Sequence, residues 1–239
     1  MADTDGNSSI PELLYHTTLT VVDFHRDTSG STRDTHVLGT HTTLPAAKAF
    51  ALRALETLGY KPADFDEYAT RADYSGEAAE EWPHHDGVMV YARGPAGHEL
   101  LVGLDTKPNT ESLPAVAADD SADQHKKDTL QLPAGHDRLH YVLQNRTDYT
   151  QDQRAAYQTA EIQGCYARRD DALAAARQAL QEDRDEYAQY DERGEDQGED
   201  EEWPFGEEVV VHAVAQTGEN YTIAVKTAMQ AHEKHGKVL

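Results

Sequence analysis

The chain is poor in the residues that mark secreted, membrane-spanning or nucleic-acid-binding proteins. One cysteine, Cys165, stands in 239 residues, so no disulfide closes within a chain, as fits a reducing compartment. Basic residues are scarce, with 21 Lys+Arg against 44 Asp+Glu and a formal net charge of -23. Affinity for a phosphate backbone comes from Lys and Arg displacing counterions, so direct DNA or RNA binding is disfavoured, and the same balance argues against an anionic membrane surface. No apolar run reaches the roughly 18 residues that a spanning helix needs. The start, Met1-Ala2-Asp3-Thr4-Asp5-Gly6-Asn7, has neither the positive nor the apolar region of a secretory signal. We expect a cytoplasmic protein, with the nucleus as the alternative, existing as monomer or homodimer. There is no glycine-rich phosphate loop, no G-x-S-x-G, no H-E-x-x-H and no C-x-x-C, which removes the common catalytic signatures.

What the chain does have is an internal duplication, the first thing to search for because a missed repeat miscalls the fold. At an offset of 125, Ala47, Ala49, Ala51, Ala54 and Leu55 meet Ala172, Ala174, Ala176, Ala179 and Leu180. Asp66-Glu67-Tyr68-Ala69 meets Asp185-Glu186-Tyr187-Ala188, and Glu80-Glu81-Trp82-Pro83 meets Glu201-Glu202-Trp203-Pro204. Those are the only two tryptophans, and from there an offset of 121 gives 9 identities in the 27 positions from Glu80 to Thr106. One unit spans 12–107 and the other 137–232, with tails at 1–11 and 233–239. The stretch 108–136 holds Pro108, Pro114, Pro133 and Asp119-Asp120 and reads as a solvated linker.

Each unit reads as ββαββ. Tyr15 to Val22 and Leu139 to Leu143 are rich in Thr, Tyr, Val and Leu, and a second strand ends near Gly39 or Gly164. Ala47, Phe50, Ala51, Ala54, Leu55 and Leu58 form one apolar stripe at helical spacing behind Pro45, and Asp170-Asp171 lead the equivalent stripe. Val88–Arg93 with Glu99–Thr106, and Val209–Ala215 with Tyr221–Thr227, have hairpin lengths and turns. The expected fold class is α+β: a tandem duplication with antiparallel sheets, one main helix per unit and a pseudo-two-fold relation.

Trp82 and Trp203, with Tyr68 and Tyr187, are candidates for aromatic walls of a cleft between the repeats, where a cation or basic peptide would be held. The plainer reading, given more weight, has each Trp plug the open end of a small core. Tyr91 and His212 occupy equivalent strand positions and complete the ligand-binding candidates. His84-His85-Asp86 and His232-Glu233-Lys234-His235 invite a metal reading, but His84-His85 faces Phe205-Gly206 in the other unit, so no metal or cofactor is expected. Cys165 matches Thr40 and reads as a small buried hydrophobe. The run 182–202 carries 12 acids against Arg184 and Arg193, and is weighed as a solvated loop above a polyanion mimic.

The succession of Val37-Leu38-Gly39, the helix from Ala47 to Leu55, Trp82-Pro83 and the strand from Val88 to Ala92 resembles a family of uncharacterised intracellular fungal proteins. The resemblance implies the duplicated unit and an intracellular place, and brings no activity or catalytic residue. The function expected from the sequence is a non-catalytic binding or regulatory module that engages a basic protein partner, or a small ligand in the cleft between repeats. The alternatives are a small-molecule hydrolase or isomerase using His and carboxylates in that cleft, and an acidic polyanion mimic.

Overall fold

A strand whose two faces both carry apolar residues needs cover on both sides. The computed structural model describes residues 10–74, 82–116, 129–154, 157–194 and 203–229. In it β1 (Leu13–Asp23) is of this kind. Leu19 and Val21 point to one face, while Leu14, His16, Thr18 and Thr20 share the other by alternation. The first face packs under α1 (Leu44–Ala51) and α2 (Ala54–Thr57), where Ala51, Ala54, Leu55, Val90, Leu100 and Val102 form the core of the first unit. The second face meets the other unit.

Both sheets are five-stranded and antiparallel. In chain order the remaining strands are β2 (Arg33–His41), β3 (Glu67–Thr70), β4 (Val88–Arg93), β5 (His98–Pro108), β6 (His140–Asp148), β7 (Gln158–Tyr166), β8 (Tyr187–Glu192), β9 (Val209–Ala215) and β10 (Glu219–Thr227). The first sheet runs β2-β1-β5-β4-β3 and the second β7-β6-β10-β9-β8, with α3 (Arg169–Gln178) in the place of α1. The duplicated ββαββ fold is therefore present, and each unit adds a short edge strand, β3 or β8, the latter inside the run 182–202 read as a solvated loop. Charges there find partners: Glu67 pairs with Arg93 at 3.1 Å, and Asp191 with His212 at 3.2 Å. A short, charged edge also resists pairing with another chain.

The duplication extends to irregularities. β2 gains a residue against β1 between Thr17 and Thr18, and β7 does so against β6 between Val142 and Leu143, at equivalent positions. β4 and β9 are bulged at Met89 and Val210, again equivalent. Bulges bend a strand and raise its twist, so both units curve alike. Gly97 and Gly218 turn the matching hairpins with φ of 90° and 97°, a region that favours glycine. Thr43 caps α1 through its side chain. The single apolar stripe expected over Pro45 to Leu58 breaks between α1 and α2, because Arg53 leaves helical angles at φ -111°, ψ 2°.

Helix, sheet, sheet and helix thus make four layers. Between the sheets, Leu14, Val37, Leu113, Leu139, Leu143 and Ile162 share one core. Leu113 belongs to the segment read as a solvated linker, yet it is buried, and Ala115 bridges to Leu130. The ends of that segment are packed because they close the apolar end of the seam; its middle, 117–128, lies outside the described residues. The open edges of β2 and β7 are capped across the seam. Met229 N donates to Val37 O at 2.8 Å, Lys226 Nζ bonds Asp34 at 2.9 Å, and Ile162 N donates to Asp105 at 3.0 Å. Lys107 pairs with Glu161. Among the described residues no helix is long and apolar enough to cross a membrane.

A core that draws on both units makes them fold as one. Urea unfolding followed through Trp82 (in a Trp203→Phe variant) and through Trp203 (in a Trp82→Phe variant) is expected to give coincident single transitions. Ile162→Ala should lower stability by about 3 kcal/mol and shift both probes together. Separate transitions would show that the shared core does not couple the units.

Candidate functional site

A residue that touches its own equivalent lies beside the two-fold axis. Two such contacts are seen among the described residues. The rings of His16 and Tyr141 meet edge to face with centroids 5.8 Å apart, and Ser29 Oγ donates to Arg154 O at 3.5 Å. His16 and Tyr141 stand on β1 and β6, and Ser29 and Arg154 in the loops that follow those strands, so the axis runs along the seam between them.

On that axis lies a cleft of about 430 Å³. Facing positions of sandwiched sheets are ordinarily apolar. Here they change character along the strand. β1 offers Leu14 and His16, then Thr18 and Thr20; β6, with Leu139 just before it, offers Tyr141 and Leu143, then Asn145 and Thr147. The cleft occupies the polar half. Its equivalent pairs include Thr20 with Asn145 and Arg33 with Gln158. Thr20 and Thr35 hydroxyls are 3.1 Å apart, and Asn145 Nδ2 donates to Thr222 at 3.5 Å. Among the described residues the hydroxyls of Thr18, Thr147 and Thr159 make no hydrogen bond to protein, which leaves each able to donate and accept.

At its inner end the seam is closed by a buried polar chain. Nδ1 of His16 hydrogen bonds the Thr40 hydroxyl at 2.8 Å, and that hydroxyl bonds the Tyr141 hydroxyl at 2.9 Å. His16 is fully buried and its Nε2 has no partner among the described residues. Burial first, then the charges of Lys107 and His41, bring its pKa down to about 4. Cys165, the equivalent of Thr40, pairs with Tyr141 in register. Burial, with the charge of Glu111 second, pushes its thiol up to about 12, so it is protonated at neutral pH and inert as a nucleophile.

Beside the cleft, and sharing Arg33 and Asp34 with it, is a charged groove of about 530 Å³. Lys226 bonds Asp34 and lies 3.5 Å from Glu208, His98 Nε2 is 3.3 Å from Asp23, and His36 is 3.2 Å from Asp34. Asp23 also accepts backbone N–H bonds from His25 and Arg26, turning the chain after β1. The second nitrogen of His98, Nδ1, is buried without a partner among the described residues. No imidazole nitrogen of His98 is therefore open to a substrate.

The residues singled out in the sequence stand elsewhere. Trp82 meets Tyr74 and His84 edge-on, and His84 stacks on Tyr91 at 3.8 Å and 11°. Trp203, Phe205 and His212 repeat the ladder, with the stack again at 3.8 Å and 11°. Tyr68 packs on the first unit's core beside Phe65, and Tyr187 on the second unit's, beside Tyr190 and Tyr221. None of Trp82, Trp203, Tyr68 and Tyr187 lines the seam cleft. Tyr91 donates to Glu99 and His212 pairs with Asp191, each in its own sheet, so the two do not converge on one site. Burial, and then the Glu99 bond, raise the Tyr91 pKa. The cleft residues were missed because Thr18, Thr20, Asn145 and Thr147 read as ordinary strand positions. The one available signal was their alternation with Leu19, Val21 and Val142.

Among the described residues no group of three or more His, Cys, Asp or Glu is placed to hold a metal ion, and His232 and His235 lie outside them. Comparison with known protein families, with curated proteins and with solved structures finds no match to this chain.

The buried imidazole makes stability depend on acid. Between its free value of 6.5 and about 4, the unfolded chain binds a proton that the folded chain refuses. Stability is complete above pH 6.5 and drains as the pH falls towards 4, by on the order of 3 kcal/mol. Urea titrations of wild type and His16→Asn across this window should show the wild type losing that much more than the variant. Parallel pH profiles would refute the assignment.

Proposed function

We propose that the protein is a non-catalytic binding module that takes a small polar molecule in the seam between its two units. The observation that carries this reading is the change of lining: the two sheets bury apolar side chains against each other at one end and set hydroxyls and amides opposite each other at the other. Unpaired hydroxyls in a cleft of this size suit a ligand that offers both donors and acceptors, and small-molecule sites span about 300–1,000 Å³. Two non-identical half-sites facing across an axis also surround a ligand without any moving part.

The hydrolase or isomerase reading needs an imidazole with a free nitrogen beside a carboxylate. The Asp23 and His98 pair borders the adjoining groove but keeps the second His98 nitrogen buried, and the carboxylate beside His36, that of Asp34, is already held by Lys226, which favours binding over catalysis. A basic protein partner would draw on the acidic run, of which Asp191 and Glu192 are already engaged by His212 and Arg177. That favours the small ligand.

Differential scanning fluorimetry of the full chain against a panel of hexoses, polyols, hydroxy acids, sugar phosphates and nucleosides tests the reading. A ligand at a hundred times its Kd adds about 2.7 kcal/mol, a rise in Tm of roughly 5–10 °C for a chain of this size. The rise is expected in wild type and absent in a Thr18→Val, Thr147→Val double variant. No rise with any member, or a rise that survives in the variant, would overturn the seam as the site.

A further inference from the structure

We infer that the ligand of the seam cleft is a hydroxylated anion, of the sugar-acid or sugar-phosphate class, whose hydroxyls meet the threonine rungs while its carboxylate or phosphate lies on Arg33. The inference rests on the cleft-binding reading and adds the ligand's charge.

In a chain with 44 acids and 21 Lys+Arg, basic side chains have acids to spare. The groove next to the cleft follows that rule for Lys226, His36 and His98, which take Asp34, Glu208 and Asp23. Arg26 and Arg33 break it. Both line the groove, Arg33 lines the cleft as well, and neither has an acidic partner within 4.0 Å among the described residues. Arg33 is also aimed. Its Nε donates to Gly30 O at 2.8 Å, which fixes the plane of the guanidinium and leaves both terminal NH₂ groups as a fork. A guanidinium fork matches the two oxygens of a carboxylate or phosphate and gives a shorter, stronger bond than neutral pairs do. Arg33 stands exposed at the rim of the cleft, and its partial burial there lowers its pKa from the ordinary guanidinium value, against the nearby charge of Glu99. A guanidinium with no carboxylate in contact keeps its terminal NH₂ groups for an incoming anion.

The acids of the cleft do not occupy this position. Asp34 is held by Lys226 and His36, and Asp86, fully exposed, pairs with Arg71 at 3.4 Å. The repulsion from a net charge of -23 is long-ranged and is screened beyond about 8 Å at physiological ionic strength, whereas the fork acts at contact. Next to it stand the unpaired hydroxyls of Thr18, Thr147 and Thr159. A bare anion would leave them to water, and a neutral polyol would leave Arg33 without a counter-charge. A molecule with both features satisfies both.

Isothermal titration calorimetry on the full chain with glucose, gluconate, glucose 6-phosphate and inorganic phosphate separates the contributions. The expected result is that gluconate or glucose 6-phosphate binds at least tenfold tighter than glucose, and that Arg33→Gln removes this margin. The stronger of the two anions identifies the source of the charge. Circular dichroism melts of Arg33→Gln and Arg33→Lys control for folding, and Arg33→Lys should restore part of the margin by keeping the charge without the fork. Equal affinity for glucose and the two anions, abolished by the Thr18→Val, Thr147→Val variant, would overturn the anion and leave the cleft reading standing. A margin that survives Arg33→Gln would overturn the role of Arg33. Phosphate binding as tightly as glucose 6-phosphate would overturn the hydroxylated body, and binding by none of the four would overturn the ligand class.

Discussion

A five-stranded sheet with one helix laid on it has a second face to cover, and here each unit's second face is covered by the other's. That constraint orders the rest of the molecule. Leu14, Val37, Leu139 and Ile162 have a core to join only because the second sheet lies opposite. The free edges of β2 and β7, which would otherwise offer unpaired backbone groups to another chain, are closed by Met229, Lys226 and Asp105 from across the seam. A single unit would keep its helix-side core and lose both the apolar cover and the edge caps.

Duplication under this constraint leaves equivalent residues face to face, and they have diverged in compensating ways. Asp105 and Lys226 are equivalents, and each reaches the second strand of the opposite unit with a charge of opposite sign. His16 and Tyr141 are equivalents that touch on the axis, where two identical histidines would bring two desolvated imidazoles together. Thr40 links them with one hydroxyl, and its equivalent is the apolar Cys165. One polar bridge and one apolar filler satisfy a space on the axis that two copies of the same residue would not.

The sequence made the repeat and its unit legible because the evidence for them is local. Alanines at helical spacing allow a helix to lie close on a sheet, and Ala47, Ala51, Ala172 and Ala176 do so with no exposed surface. Trp82-Pro83 and Trp203-Pro204 marked the entry to the hairpins, but not what the indoles touch, since one ladder continues through His84 and Tyr91 and the other through Phe205 and His212. The geometry was preserved while the residue types changed. β3 and β8 were illegible because an edge strand of four or six residues, Glu-Tyr-Ala-Thr or Tyr-Ala-Gln-Tyr-Asp-Glu, is too short and mixed to show an alternation of its own. The cleft was illegible for a different reason. Thr18 and Thr20 sit on a strand face that periodicity separates from the helix side, but periodicity does not say whether that face looks at water or at a second sheet.

Symmetry bears on what such a cleft can hold. A cleft with two identical halves binds an asymmetric molecule in two orientations of equal energy, and gives it no preferred direction. This seam departs from identity at the positions that carry charge and hydrogen bonds: Arg33 faces Gln158, Thr20 faces Asn145, and Asp34 has Thr159 as its counterpart. A guanidinium on one side and an amide on the other differ in charge by a full unit, enough to set the direction of any anion-bearing guest. The hydroxyls that remain on both sides are tolerant, since each donates or accepts by rotation. Under the proposed reading the divided labour follows from the duplication itself: the repeated strands provide a cleft and its hydroxyls, and the substitutions between repeats give that cleft a polarity that neither copy would have alone.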